Sequence, residues 1–299
     1  MIVFGSANYD ITVSTPAIPK LDHILTIESA IHGVGGKGAN QAVVARRAGS
    51  DVSLYAILGD DALGDMILES LRAEGVNVRG ITPSCHSTGL GLILAENGHH
   101  RVIYVQGANR FLDPQIVPEE ILERGTMVLI QGDVPMGANE ALLQSALDHG
   151  CITVLNLGPY AFISEEYLKL VDYLIVNQHE GEALAAQLRL DASNKGLLAA
   201  NMSQRFGCTF LITLGSEGAV AATPQGELIP VKAVPVQAVD TVGAGDTFVG
   251  YLAAAIERGE KLGDALEQAN VAAAIACCKV GAQSSIPYRR EVEESLRRL

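Results

Sequence analysis

The chain has 299 residues, 48% of them hydrophobic, enough for a sizeable core in one large domain or two small ones. A formal charge of −13 argues against nucleic acid as a partner, because phosphate backbones are bound by clustered Lys and Arg. No apolar run reaches the roughly 18–20 residues of a membrane span, the opening MIVFGSANYD has no basic region before its apolar residues, and five cysteines without C-x-x-C spacing point to a reducing compartment, so a cytoplasmic protein is expected.

Short apolar runs alternate with helical patterns from about residue 38 to 280. The strand-like runs are Ile2–Phe4, Val52–Ile57, Met127–Ile130, Ile152–Leu155, Tyr173–Val176 and Phe210–Leu214. Between them apolar residues recur three and four apart, as at Leu63, Ile67 and Leu71, with Gly75, Gly150 and Gly207 closing helices. This alternation predicts an α/β fold with a doubly wound, mostly parallel sheet flanked by helices. Ligands collect at the carboxyl ends of such strands.

Two segments depart from the alternation. Residues 11–32 carry Ile11, Val13, Ile24, Leu25, Ile27 and Ile31 with few helix signals, and residues 88–105 read as two strands joined at Asn97-Gly98. They predict a small separate β-sheet, either a lid or a dimer surface. His99 and His100 are expected at the hairpin tip as exposed turn residues. Residues 191–196, DASNKG, predict a polar turn between helices, and Cys277 and Cys278 predict small packing residues on a helix.

Three glycine-rich segments carry chemistry. GVGGKGANQA, Gly33 to Ala42, contains G-x-G-x-x-G but lies about thirty residues after the first strand, outside the setting a dinucleotide fold requires. Lys37 is followed by Gly38 rather than Ser or Thr, so it is not a Walker A motif either. It offers amides, a cation and a carboxamide at Asn40, where a helix is expected to begin. A tight turn onto a helix is the plain alternative. TLGSEGA, Thr213 to Ala219, is either a nucleotide-framing strand end or a simple hairpin turn. DTVGAGDTF, 240 to 248, sets Asp246 on a glycine turn that opens a helix, whose unpaired first amides and positive dipole end form an anion site. Polar residues follow the strands repeatedly: Asn8 and Asp10, Asp133, Asn156, Asn177 and Glu180.

In this order N-x-D, GGKGAN, N-x-x-E, TLGSxG and D-T-x-x-A-G-D-T-F resemble the ribokinase (phosphofructokinase-B) family of sugar kinases over essentially the whole chain. The resemblance implies one ribokinase-like domain, 1–299, with a β-lid from about 11–32 and 88–106. It implies transfer of the ATP γ-phosphate to the 5-hydroxyl of a furanose, D-ribose, with Asp246 as base and an anion hole of amides at Gly243, Ala244, Gly245 and Asp246. Sugar contacts map to Asn8, Asp10, Gly36, Lys37, Gly38, Asn40 and Asp133. Nucleotide contacts map to Asn177, Glu180, Thr213, Leu214, Gly215, Ser216, Gly218, Gly245 and Asn270, with Glu180 acting around Mg²⁺ and phosphate. A K⁺ site is implied near Asp240, Val242, Ala276, Lys279, Gly281 and Ser285, and a homodimer through the lid. Asp133 stands in place of the family's usual glutamate, and Asn156-Leu157-Gly158-Pro159, Asn177-Gln178-His179-Glu180 and Tyr251 also depart from the pattern. The alternatives are a kinase for deoxyribose, another furanose or a nucleoside, and, in a different class, an NAD-dependent oxidoreductase or a non-catalytic sugar-binding regulator.

Overall fold

The computed structural model describes residues 1–15, 17, 22–96 and 99–298. The expected Asn97-Gly98 turn lies outside these, as do the side chains of His99 and His100. Along the first part of the chain come β1 (Ile2–Phe4), β2 (Asn8–Ser14), β3 (Ile31–Gly35), α1 (Lys37–Arg47), β4 (Ser53–Gly59), α2 (Ala62–Ala73), β5 (Asn77–Ser84), β6 (Gly89–Glu96) and β7 (His99–Val105). After short 3₁₀ turns over 107–121 follow β8 (Met127–Gln131), α3 (Met136–Asp148), β9 (Ile152–Asn156), α4 (Glu165–Leu168), β10 (Tyr173–Asn177), α5 (Gln178–Leu188) and α6 (Lys195–Phe206). The chain closes with β11 (Thr209–Thr213), β12 (Ala219–Ala222), β13 (Leu228–Val231), α7 (Ala244–Glu257), α8 (Leu262–Cys277), α9 (Ala282–Ser285) and α10 (Arg289–Leu296).

The large sheet has nine strands in the order β13-β12-β11-β10-β9-β8-β1-β4-β5. It is parallel from β11 to β5 and antiparallel where β12 and β13 extend its far edge. Alternation along each strand divides the core between two faces. Val3 and Leu129 join the cluster formed by α1, α2, α7 and α8, whereas Phe4 and Ile130 join that of α3, α5 and α6. Every apolar run named above is a strand of this sheet. The strands β5, β12 and β13 were not expected from the sequence: β5 is an edge strand of mixed exposure, and β12 and β13 are short.

The second sheet has four strands in the order β3-β2-β6-β7. The two segments singled out in the sequence do supply it, with one correction. Ile24, Leu25 and Ile27 lie in an irregular connection rather than a strand, and Ile24 is 96% exposed. Asn8 and Asp10 open β2, so they sit on this small sheet and not on a free loop after β1. Helix α1 begins three residues earlier than Asn40 implied, because Gly36 takes φ +88° and turns the chain directly into Lys37. Cys277 ends α8 partly buried, but Cys278 is exposed rather than packed. Among the described residues no helix is long and apolar enough to cross a membrane.

Candidate active site

Strand β1 has β4 on one side and β8 on the other, so successive connections diverge there and open a crevice at the carboxyl edge. Helices α1 and α7 both begin at this edge and pack closely. A Cβ on Gly250 of α7 would lie 2.5 Å from Cγ1 of Val44 on α1. At the start of α1, a Cβ on Gly38 would lie 2.7 Å from the carbonyl carbon of Gly5, so the helix end rests directly on the end of β1. These two glycine contacts bring residues far apart in sequence to one point.

That point is Asp246, in the first turn of α7 and 7% exposed. Oδ2 accepts from Asn40 Nδ2 at 3.0 Å; Oδ1 accepts from Gln41 Nε2 at 2.9 Å and from Lys37 Nζ at 3.4 Å. Gly243 takes φ +78° as N-cap of the helix. Among the described residues the amides of Gly243, Gly245 and Asp246 have no hydrogen-bond partner, but that of Ala244 turns to the Thr241 carbonyl at 3.3 Å. Three open amides at the positive end of a helix suit a phosphate oxygen; the fourth expected donor, Ala244, is already engaged.

The small sheet presents the remaining polar groups. Asp10 stands between two positions without side chains: a Cβ on Gly35 would lie 1.8 Å from its Oδ2, and one on Gly91 2.3 Å from its Oδ1. Burial, and after it the charge of Asp246, push the Asp10 carboxyl up to about 7. Asn8 Oδ1 accepts from Asn109 Nδ2 at 2.7 Å and from the Tyr104 hydroxyl at 3.3 Å. Asp133 receives a hydrogen bond from Ser6 Oγ, and its other oxygen is buried without a partner. Burial pushes it up to about 6 against the opposing effects of Ser6 and Lys37. Burial works against the Lys37 ammonium, but Asp246, Asp133 and Glu180 together hold its pKa above the ordinary lysine value. Burial likewise raises the Glu180 carboxyl, against the Asn177 amide and Lys37. Asn8, Asp10, Gly36, Lys37, Gly38, Asn40, Asp133, Glu180 and Asp246 therefore belong to one polar centre.

The remaining expected positions, Asn177, Thr213 to Gly218 and Asn270, lie on other elements. Asn177 and Glu180 cap α5 reciprocally, Asn177 Oδ1 accepting from the Glu180 amide at 2.9 Å and Glu180 Oε2 from the Asn177 amide at 2.8 Å. One Glu180 oxygen thus has a structural partner, while a Cβ on Gly158 would meet the other, Oε1, at 2.6 Å. Thr213, Leu214, Gly215, Ser216 and Gly218 form a hairpin turn closed by Leu214 N–H to the Gly218 carbonyl at 2.7 Å. Gly218 abuts the segment 231–233, and Asn270 donates to the Lys232 carbonyl there at 2.6 Å. These residues make a separate rim at the end of β11.

Asp240 draws two loops together, accepting from the amides of Val242 at 3.0 Å and Gly281 at 2.9 Å. The Ala276 carbonyl accepts from the Lys279 amide at 3.1 Å, Lys279 Nζ meets Glu291 at 3.1 Å, and Ser285 Oγ donates to the Ala282 carbonyl at 2.8 Å. A Cβ on Gly243 would lie 3.0 Å from Cα of Ala282, so these loops adjoin the start of α7.

Several polar residues of the centre had no sequence signal. Gln41 is wholly buried although a helical glutamine ordinarily faces water, and Gln131, Tyr104 and Ser6 carry no such signal. Gln283 donates to Asn40 Oδ1 at 3.2 Å, joining α9 to α1. Tyr251, noted as a departure, is a core residue: it is 1% exposed and its hydroxyl donates to the Pro287 carbonyl at 2.9 Å, so it has no place among the polar groups of the centre. The G-x-G-x-x-G glycines join β3 to α1 and do not follow β1.

A model of the pfkB family of carbohydrate kinases matches residues 1–289. The ribokinase of Schizosaccharomyces pombe is 36% identical over 308 residues, spanning 99% of this chain and 97% of that one. Among solved structures, ribokinase from Thermotoga maritima aligns with a TM-score of 0.91 at 29% identity, covering 99% of this chain and 98% of that one. Arabidopsis thaliana ribokinase complexed with ribose and ATP aligns with a TM-score of 0.89 at 28% identity, again over 99% and 98%.

Proposed function

The chain belongs to the pfkB family of carbohydrate kinases, and from that premise we propose that it is a ribokinase, moving the γ-phosphate of ATP to the 5-hydroxyl of D-ribose. The observation that carries the reading is Asp246: a buried carboxylate with open amides at its own helix end. Asp246 takes the hydroxyl proton as the sugar oxygen bonds to the γ-phosphorus and the bond to the ADP oxygen breaks. The amides of Gly243, Gly245 and Asp246 face the charge on the phosphoryl oxygens. In a loose transfer of this kind, positioning and electrostatics contribute most of the acceleration. Asn8, Asp10, Asp133 and Asn40 hold sugar hydroxyls, and Lys37 lies between the sugar and phosphate groups. Thr213 to Gly218 and Asn270 line the nucleotide side. The β-lid, about 11–32 and 88–106 within a single domain of 1–299, closes over the sugar and excludes water.

Among the described residues no cluster of three or more His, Cys, Asp or Glu side chains is arranged to hold a metal. Glu180, which adjoins Lys37 and Asp246, would stand beside a Mg²⁺ carried by ATP, and the ion would neutralise phosphate charge. For K⁺ the loops at Asp240, Val242, Ala276, Lys279, Gly281 and Ser285 would serve: Asp240 draws the Val242 and Gly281 segments together, and main-chain carbonyls there would supply neutral oxygen donors. The exposure of Ile31, Val102, Ile103 and Val105 on the small sheet supports a homodimer formed through it. A cytoplasmic location accords with these substrates.

The test is an ADP-coupled assay with ATP, Mg²⁺ and K⁺ over ribose, deoxyribose, fructose and nucleosides. Ribose is expected to give the highest kcat/KM, and a preference for another acceptor overturns the substrate assignment. Asp246→Asn should lower kcat by about 10²–10⁴-fold with ATP binding retained by calorimetry; wild-type turnover in that variant removes the base assignment.

A further inference from the structure

Gln41 contacts Asp246 but has no counterpart among the residues expected to act on substrate. It is wholly buried, and every polar atom of its amide is engaged. Nε2 donates to Asp246 Oδ1 at 2.9 Å and to Asn156 Oδ1 at 3.0 Å, while Oε1 accepts from Gln131 Nε2 at 2.9 Å. Gln131 and Asn156 stand opposite each other in the register of β8 and β9. Neighbouring strand ends thus read the two ends of one amide. Turning that amide over would set nitrogen against the Gln131 nitrogen and oxygen against two oxygens. The sheet therefore keys Gln41 to present its N–H groups, and only those, to the carboxylate.

A carboxylate has about four lone-pair sites. On Asp246, Oδ1 accepts from both Gln41 and Lys37, whereas Oδ2 accepts from Asn40 alone. We propose that Gln41 is a positioning residue for phosphoryl transfer: it fixes Oδ1 of Asp246 and so leaves Oδ2 as the oxygen that takes the proton of the acceptor hydroxyl. The proton passes to Oδ2 as the acceptor oxygen bonds to the γ-phosphorus and the bridging bond breaks toward ADP. This rests on Asp246 acting as the base.

The test is a double-mutant cycle in the full-length protein. Gln41→Leu removes the donor, and kcat is expected to fall about 10- to 100-fold while KM for ribose and for ATP changes by less than about threefold. In the Asp246→Asn background the same substitution is expected to cost less than about twofold more, because its route of action is already gone. A loss that multiplies in that background overturns the proposal, since a purely structural role would be additive. Gln41→Glu keeps the oxygen facing Gln131 but sets a carboxylate against Oδ1; it is expected to lose at least as much, and it serves if Gln41→Leu does not fold. A folded variant of either kind with kcat within about threefold of wild type also overturns the proposal. Wild-type turnover in Asp246→Asn would instead defeat the base assignment on which it stands.

Discussion

Gly35→Ala tests whether the small sheet holds Asp10 for the sugar. The added Cβ would fall 1.8 Å from Asp10 Oδ2, and reaching ordinary contact at 3.4 Å moves that oxygen by about 1.6 Å. The obstruction is a side chain rather than backbone and Gly35 has no positive φ, but the position is buried, so the change should cost about 1–3 kcal/mol without unfolding the protein. Above about pH 7, where Asp10 is ionised, what is lost is a hydrogen bond from a sugar hydroxyl to a charged group, about 1.5–3 kcal/mol. At 1.36 kcal/mol per tenfold this corresponds to a fall of about 10- to 150-fold in kcat/KM for ribose. Gly33→Ala is the matched control two residues earlier in β3, where an added Cβ meets nothing within 4 Å. Initial rates against ribose at saturating ATP, with thermal melts of both variants, make the comparison. Equal kcat/KM in the two variants, or an unfolded Gly35→Ala, refutes the reasoning.

Three further outcomes are expected. Asp10 and Asp133, raised from 3.8 to about 7 and about 6, keep protons in the folded protein that the unfolded chain has released. The contribution of these two groups to the stability of the ligand-free protein is therefore full below about pH 4 and is lost as pH rises through about 6 to 7. Urea denaturation between pH 4.5 and 8 reads this, and an unchanged slope in the Asp10→Asn, Asp133→Asn double variant counts against it. At fixed ionic strength turnover should be faster in K⁺ than in Na⁺, and Asp240→Ala, which frees the Val242 and Gly281 amides, should abolish the difference. Equal wild-type rates in the two salts would defeat the cation site. Gly250→Ala drives a Cβ to 2.5 Å from Cγ1 and 2.6 Å from Cβ of Val44 and should cost about 1–3 kcal/mol, with Val44→Ala restoring little because it keeps that Cβ; a melting curve that matches wild type shows the seam to be loose.

The central strands were legible because a parallel sheet covered on both faces needs continuous apolar runs, and β1, β8 and β10 are apolar up to the polar residues, Gln131 and Asn177, that end β8 and β10. The edge strand β5, NVRGITPS, mixes exposed and half-buried positions and so lacks that signature. Ile24 and Leu25 misled in the opposite direction, being apolar yet exposed. In the centre, Asp246, Lys37 and Asn40 could be read from their glycine-rich settings. Gln41 could not, because its burial is created by Gln131 and Asn156 arriving from strands β8 and β9. Asn177-x-x-Glu180 illustrates a different limit: the spacing that suggested a ligand contact is also that of a helix cap, and the structure uses it as one.

The seam between α1 and α7 joins residues 209 positions apart at Lys37 and Asp246, and a further link from Gln283 to Asn40 spans 243. A ribosome making this polypeptide therefore completes almost all of the scaffold before any reactive centre exists. Prematurely terminated products would carry the cradle for a sugar without the group that activates it, and they would be inert toward the cell's ATP.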